Sequence, residues 1–209
     1  MSPKVSQEHL EQRRTNILEA AKQVFRELGY EKTTMKDVME AAGVSRGGLY
    51  HYFSNKEDLF EAILAEALQG EVTHTDTLLQ EKVDSYWHLL LTRVFGDDIT
   101  IDDSMDPLAS VNLEFFITGK NDDRRRAFAY ERYYNGKKLY QNIIEAGQKH
   151  GEFSKQYDAS VIAQSIITFI DGLALDHALL PAEDVRVKQQ SELFVDYLKM
   201  ALGVKKGES

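Results

Sequence analysis

Prolines occupy only positions 3, 107 and 181 of 209 residues, and between them apolar residues recur every three or four positions. Proline is the sharpest helix breaker, so long breaker-free stretches with that period point to amphipathic helices. The pattern predicts an all-α fold of about nine helices. The first spans 12–28, with Ile17, Ala20, Ala21, Val24, Phe25 and Leu28 on one face and Gly29 as its cap. A short second helix covers 35–42, capped by Thr34 with Asp37 in its first turn. A third runs from 46 to 53, capped by Ser45. The fourth begins near Lys56. Later helices are expected at 80–95, 107–119, 122–150, 159–180 and 182–202, with the acidic segment 96–104 as a loop. The chain thus divides into a three-helix head (1–56), a larger helical body (57–203) and a disordered tail (204–209).

Composition removes several chemistries. There is no cysteine, hence no disulfide, thiolate metal site or cysteine nucleophile. His74, His88, His150 and His177 are scattered, and Asp176 and His177, as helical neighbours, point about 100° apart rather than forming a dyad. The loop with Asp97, Asp98, Asp102 and Asp103 lacks the alternating oxygen ligands, central glycine and closing glutamate of a calcium loop. No catalytic residue, metal or cofactor is therefore expected, and the chain does not read as an enzyme. The N-terminus has no apolar signal core. The most apolar region, 161–180, is interrupted by Gln164, Ser165, Thr168 and Asp171, so no membrane span is expected and the location is read as cytoplasmic.

The net charge of −9 is unevenly spread. Residues 1–56 hold nine basic against seven acidic side chains, and residues 57–209 hold sixteen against twenty-seven. A mildly basic head on an acidic body suits a protein that turns one end to a polyanion; it also suits an acidic body that merely stays dispersed.

The most informative run lies in the head. Two short helices separated by Gly43 and stacked on a longer amphipathic one form a helix-turn-helix pattern. Arg46-Gly47-Gly48 offers one long cationic donor followed by two residues without side chains, at a cost of roughly 1 kcal/mol each in a helix. Close backbone approach to DNA would offset that cost. From about Ile17 to Leu59 the sequence resembles the TetR family of bacterial transcription regulators. The likeness is carried by Phe25, Gly29-Tyr30, Thr33-Thr34, Ala41-Ala42-Gly43-Val44-Ser45, Gly47, Leu49-Tyr50-His51-Tyr52-Phe53, Lys56 and Leu59.

The resemblance implies roles. Thr33, Thr34 and Ser45 would touch phosphate or cap helices, and Arg46 would reach guanine in the major groove. Gly47 and Gly48 would let the backbone approach, Tyr50 and His51 would contact backbone or base edges, and Lys56 would neutralise a phosphate. Gly48 departs from the small hydroxyl residue common in the family at that position, which removes one phosphate hydrogen bond. Leu49, Tyr52 and Phe53 read as core.

For the body, the resemblance implies a small-molecule cavity among the middle helices. Trp87, Asn112, Phe116, Tyr130, Tyr134 and Phe169 are the candidate lining, although aromatics at helical spacing serve equally as plain core. An inward Glu114 or Asp171 would favour a cationic ligand. The stretch 159–180, apolar nearly all round, asks for burial on more than one face. A homodimer through 159–180 and 182–202 satisfies it, as does a monomer in which that helix is central. The reading is a DNA-binding regulator, a repressor released from a near-palindromic operator by an unidentified small effector. The competing reading is a DNA-bound interaction protein whose body takes a protein partner.

Overall fold

The computed structural model describes residues 7–81 and 83–204. Among these residues there are ten helical segments and no strand. They are α1 (Gln7–Leu28), α2 (Met35–Ala41), α3 (Arg46–Tyr50), α4 (Lys56–Gln80), α5 (Tyr86–Phe95), α6 (Pro107–Thr118), α7 (Asp123–His150), α8 (Ala159–Leu179), α9 (Ala182–Val185) and α10 (Val187–Leu202). The expected number is kept if α9 and α10 are counted as the single helix anticipated at 182–202. That helix is broken because Arg186 adopts a left-handed conformation (φ 51°, ψ 54°). The helix anticipated at 80–95 starts six residues later. Ser85 accepts the His88 N–H (3.1 Å), and the Glu152 carboxylate accepts the N–H groups of Tyr86 and Trp87 (both 2.8 Å), so the start is defined by a residue distant in sequence. The third helix ends at Tyr50 rather than 53, and α1 begins at Gln7 rather than 12. The tail expectation fails at its first residue: Val204 is buried, and its N–H donates to Lys199 O (3.0 Å). Residues 205–209 lie outside the described residues.

Two large apolar clusters hold the molecule together, with a small third one around Leu173, Val185 and Val187. One joins α5, α7, α8 and α10 through residues such as Trp87, Leu90, Ile143, Ile166 and Leu198. The other is the core of the head, and it does not stop at residue 56. Phe25, Tyr30 and Phe60 pack with Phe115 of α6, with ring centroids 4.7–5.1 Å apart. Val111 of α6 belongs to the same cluster. Head and body therefore share one core across α4 and α6.

Helix α8 has the length and mean hydropathy (1.4) of a bilayer span. Here it packs on α6 and α7 with Ile162, Ala163, Ile166, Leu173 and Ala174 buried, as a core helix does. Its opposite side exposes Val161, Leu175 and Leu179, and α10 exposes Leu193, Tyr197 and Met200; Leu179, Leu193 and Met200 are each more than 70% exposed.

Candidate nucleic-acid interface and body cavity

The head presents the N-terminal end of α3. Ser45 caps that helix by accepting the Gly48 N–H (3.2 Å). Arg46, Gly47, Tyr50 and His51 are exposed, and the Arg46 guanidinium lies over the Tyr50 ring at 5.6 Å. Leu49 and Phe53 are buried and Tyr52 is half-buried. Thr34 caps α2 in a full capping box: it accepts the Asp37 N–H (3.3 Å) while the Asp37 carboxylate accepts the Thr34 N–H (2.9 Å). The Thr34 hydroxyl, which donates to the Asp37 carboxylate (2.7 Å), and the Thr34 N–H hold that carboxyl below the usual aspartate range.

Two residues expected at phosphate are engaged inside the protein. Thr33 is only 1% exposed, and its hydroxyl donates to Gly29 O (2.6 Å). That removes it from the surface and corrects its assignment. The Lys56 ammonium donates to Tyr30 O (2.8 Å) and Glu31 O (3.1 Å) and covers the Tyr30 ring at 4.4 Å. It ties the end of α1 to the start of α4, where carbonyls converge.

Sequence reasoning missed Arg13. A Cβ built on Gly48 would meet the Arg13 guanidinium at 3.1 Å, so Arg13 occupies the space that a side chain at 48 would fill. Arg13 is exposed and makes no ion pair among the described residues. The signal was present as the Arg13-Arg14 doublet; only its phase relative to α3 was hidden. Arg14 turns elsewhere, pairing with Glu66 and lying over Phe53.

The connection to the body runs through α6. Asp106, at its start, accepts two hydrogen bonds from Arg26 of α1 (both 3.2 Å). Glu114 accepts the N–H groups of Tyr30 (2.7 Å) and Glu31 (3.3 Å) just beyond α1. Gly29 makes this possible: its φ is +78°, and a Cβ there would stand 3.0 Å from the Glu114 carboxylate. Glu114 thus faces the head, not the body interior. Arg124 of α7 adds ion pairs to Asp58 and Glu61 (2.7 Å) on α4, and its guanidinium holds the Asp58 carboxyl below the usual aspartate range.

The opposite side of α6 walls a cavity of ≈ 480 Å³. Its lining forms one stripe per helix at spacings of three and four: Asn112 and Phe116 on α6, Arg132, Gly136 and Tyr140 on α7, and Ile167, Ile170 and Asp171 on α8. Glu71 of α4 and Arg93 of α5 also border it, paired at 2.6 Å. Of the six residues expected there, Asn112 and Phe116 line the cavity. Tyr130 and Tyr134, each two residues from Arg132, lie about 160° round α7 from it, and their rings tilt against each other at the surface, centroids 4.4 Å apart. Trp87 is in the apolar core, and Phe169 stacks flat on Phe194 (3.9 Å) between α8 and α10. Aromatic content was a poor guide because helix packing turns Tyr133 and Tyr140 of α7 to the cavity and leaves Tyr130 and Tyr134 outside it. Burial pushes the Tyr140 hydroxyl up to about 12; the hydroxyl donates to Arg93 O (3.3 Å).

Comparison with known proteins agrees with this arrangement. Residues 17–63 match the family described as bacterial regulatory proteins, tetR family, and residues 96–188 match the tetracyclin repressor-like C-terminal domain. The uncharacterized HTH-type transcriptional regulator YfiR of Bacillus subtilis is 34% identical over 204 residues, 97% of this chain and 98% of its own. The HTH-type transcriptional repressor KstR2 of Rhodococcus jostii is 30% identical over 151 residues, 71% of this chain and 72% of its own. Among solved structures, E. coli NemR in its reduced form shares the fold with a TM-score of 0.72 over 91% of this chain and 97% of its own, at 18% identity. Bacillus subtilis FadR, in complex with stearoyl-CoA, does so with a TM-score of 0.67 over 91% and 99%, at 20% identity. With a helix-turn-helix head, a helical body and a relative of this identity along nearly its whole length, the chain belongs to the TetR family of DNA-binding bacterial transcription regulators.

Proposed function

We propose that this protein is a cytoplasmic, dimeric repressor whose grip on a near-palindromic operator loosens when a small molecule enters the body cavity. The observation that carries this reading is the double use of α6: Phe115 and Glu114 belong to the core and caps of the head, Asn112 and Phe116 wall the cavity, and Phe116 also packs on Phe115 at 5.2 Å. A ligand that repacks Asn112 and Phe116 shifts the helix that carries Glu114, and the head turns with it. Ligand and DNA affinities are then reciprocally coupled, typically by about 1–3 kcal/mol.

On DNA, Arg46 reads guanine and Ser45, Thr34, Tyr50 and His51 meet the backbone or base edges. Gly47 has open space around it, which lets the helix approach the groove closely. Arg13 supplies the cationic contact beside Gly48. Lys56 reaches phosphate only by sharing its ammonium with the carbonyls of residues 30 and 31. Two heads read two half-sites when the exposed apolar sides of α8 and α10 pair across a two-fold axis. A cavity bordered by the unpaired buried oxygen of Asn112 favours a small effector over a protein partner, which a filled core would have suited.

The test is genome-wide mapping of binding sites, followed by fluorescence titration of the purified protein with a recovered site and with a shuffled one. A preference of roughly 10³ or more for the recovered site is expected. Equal binding to both sequences rejects the regulator reading.

A further inference from the structure

We propose that the cavity takes an amphipathic organic carboxylate, with the anionic head on Arg132 and the apolar part against Phe116, Leu139, Ile167 and Ile170. This rests on the effector reading above and narrows it to a ligand class. The volume, ≈ 480 Å³, is that of a site for a small organic molecule.

The charge assignment follows from how the polar groups are already used. Four ionisable side chains of fixed sign border the cavity: Glu71, Arg93, Arg132 and Asp171. Glu71 is taken by Arg93 at 2.6 Å. Arg132 has no carboxylate within 4 Å among the described residues; its guanidinium donates to Leu64 O (3.3 Å). A guanidinium has five N–H donors, and leaving them unmet in a half-buried site is costly. Burial holds Arg132 below the usual arginine range. Arg93 adds a second spare donor, since its Nε is buried without an acceptor. The two arginines at this wall therefore keep donors that no protein acceptor among the described residues meets.

Asp171 does not reverse this. Its charge and that of Arg132 act on each other, burial raising its carboxyl and Arg132 lowering it, but the two groups form no ion pair within 4 Å, so the Arg132 donors stay open to a ligand. Asn112 can turn either end of its amide to a ligand. A carboxylate on Arg132 makes a charge-assisted and, in favourable geometry, bidentate pair, the strongest hydrogen-bonded contact available at this wall. Of the two carboxylates that suggested a cationic ligand, Glu114 caps residues 30 and 31 and faces away from the cavity, and only Asp171 lines it.

The experiment compares three probes of one shape: phenylbutyrate, phenylbutanamide and phenylbutylamine, titrated calorimetrically into the full-length protein. The acid is expected to bind at least about tenfold tighter than the amide or the amine, a difference of about 1.4 kcal/mol. Arg132→Met, which keeps an apolar stem, should bring acid and amide to near-equal affinity. Asp171→Asn should leave the acid preference intact or increase it. Preference for the amine or amide, no binding of the acid, or an undiminished acid preference in the Arg132 variant each overturn the assignment. If that variant does not fold, the wild-type ratio and the Asp171 variant decide. Operator titration without probe is unaffected by these outcomes, so a wrong ligand class is distinguishable from a wrong regulator reading.

Discussion

Arg46 and Gly48 illustrate how neighbouring residues act through different physics. Arg46 is exposed at the tip of α3 with its guanidinium parked over Tyr50, free to leave that ring for a base edge. Arg46→Ala should weaken operator binding by about 1–3 kcal/mol in a fluorescence titration and relax preference at one base position, with the thermal midpoint unchanged. At Gly48 the two effects separate. Alanine there gains up to about 1 kcal/mol in helix propensity, and its Cβ would stand 3.1 Å from the flexible end of Arg13, which can swing away, and 3.3 Å from the Ser45 hydroxyl, which has to give by only a few tenths of an ångström. Gly48→Ala should therefore raise the melting temperature and yet lower operator affinity, because Arg13 is displaced from the DNA side. A variant that is stabilised and binds DNA as well as wild type would show that Arg13 makes no contact.

Between elements, the head is held by a few polar bonds around a shared aromatic core. Glu114 accepts both N–H groups that follow the end of α1, and Asp106 holds Arg26. Glu114→Ala removes that cap while leaving Phe115 in place. It should keep operator binding within about fivefold, given the caps' modest worth of roughly 1 kcal/mol, and reduce the response to any effector found. Titrations with and without effector would check both. The Arg124 bridge to Asp58 carries a pH signature. Asp58 titrates below its ordinary range in the folded protein, so its contribution is present above about pH 4 and is lost as pH falls through the lowered folded value. Because the pair is partly exposed, its worth is under about 1 kcal/mol. Arg124→Ala should cost a few degrees or less near neutrality and show a shallower loss of melting temperature on acidification than wild type.

For the whole molecule, the decisive question is how two heads are spaced. The apolar side chains left exposed on α8 and α10, including Leu179, Leu193 and Met200, are the surface through which the proposed dimer would form. Replacing Leu193 and Met200 together by glutamate should give a monomeric mass by light scattering. It should also weaken binding to a two-half-site operator by roughly a hundredfold or more, through loss of bivalence. Retained dimer mass would place the contact elsewhere. The reach of the head's core into α6 means that such a dimer would move as one body with its heads, without a flexible linker between them.

Local chemistry determined much of this from the sequence alone. The period of apolar residues, the rarity of proline and the caps at Thr34, Ser45 and Gly29 were enough for the helices of the head and for their resemblance to a known family, because caps and periodicity are interactions within a few residues. The cavity was not legible in the same way. Its walls come from α4, α5, α6, α7 and α8 at once, and which side of each helix turns inward depends on how the helices pack, not on where aromatics fall. The same holds for Glu114 and Thr33, whose partners decide their use: one polar side chain caps a neighbouring helix end, and the other is buried by a bond four residues back. Ser85, too, became a helix start only because Glu152, 67 residues away, completes the cap. Tertiary structure assigned these roles because a polar group's function depends on what stands within about 3 Å of it, and for these residues that neighbour is set by the packing of the helices.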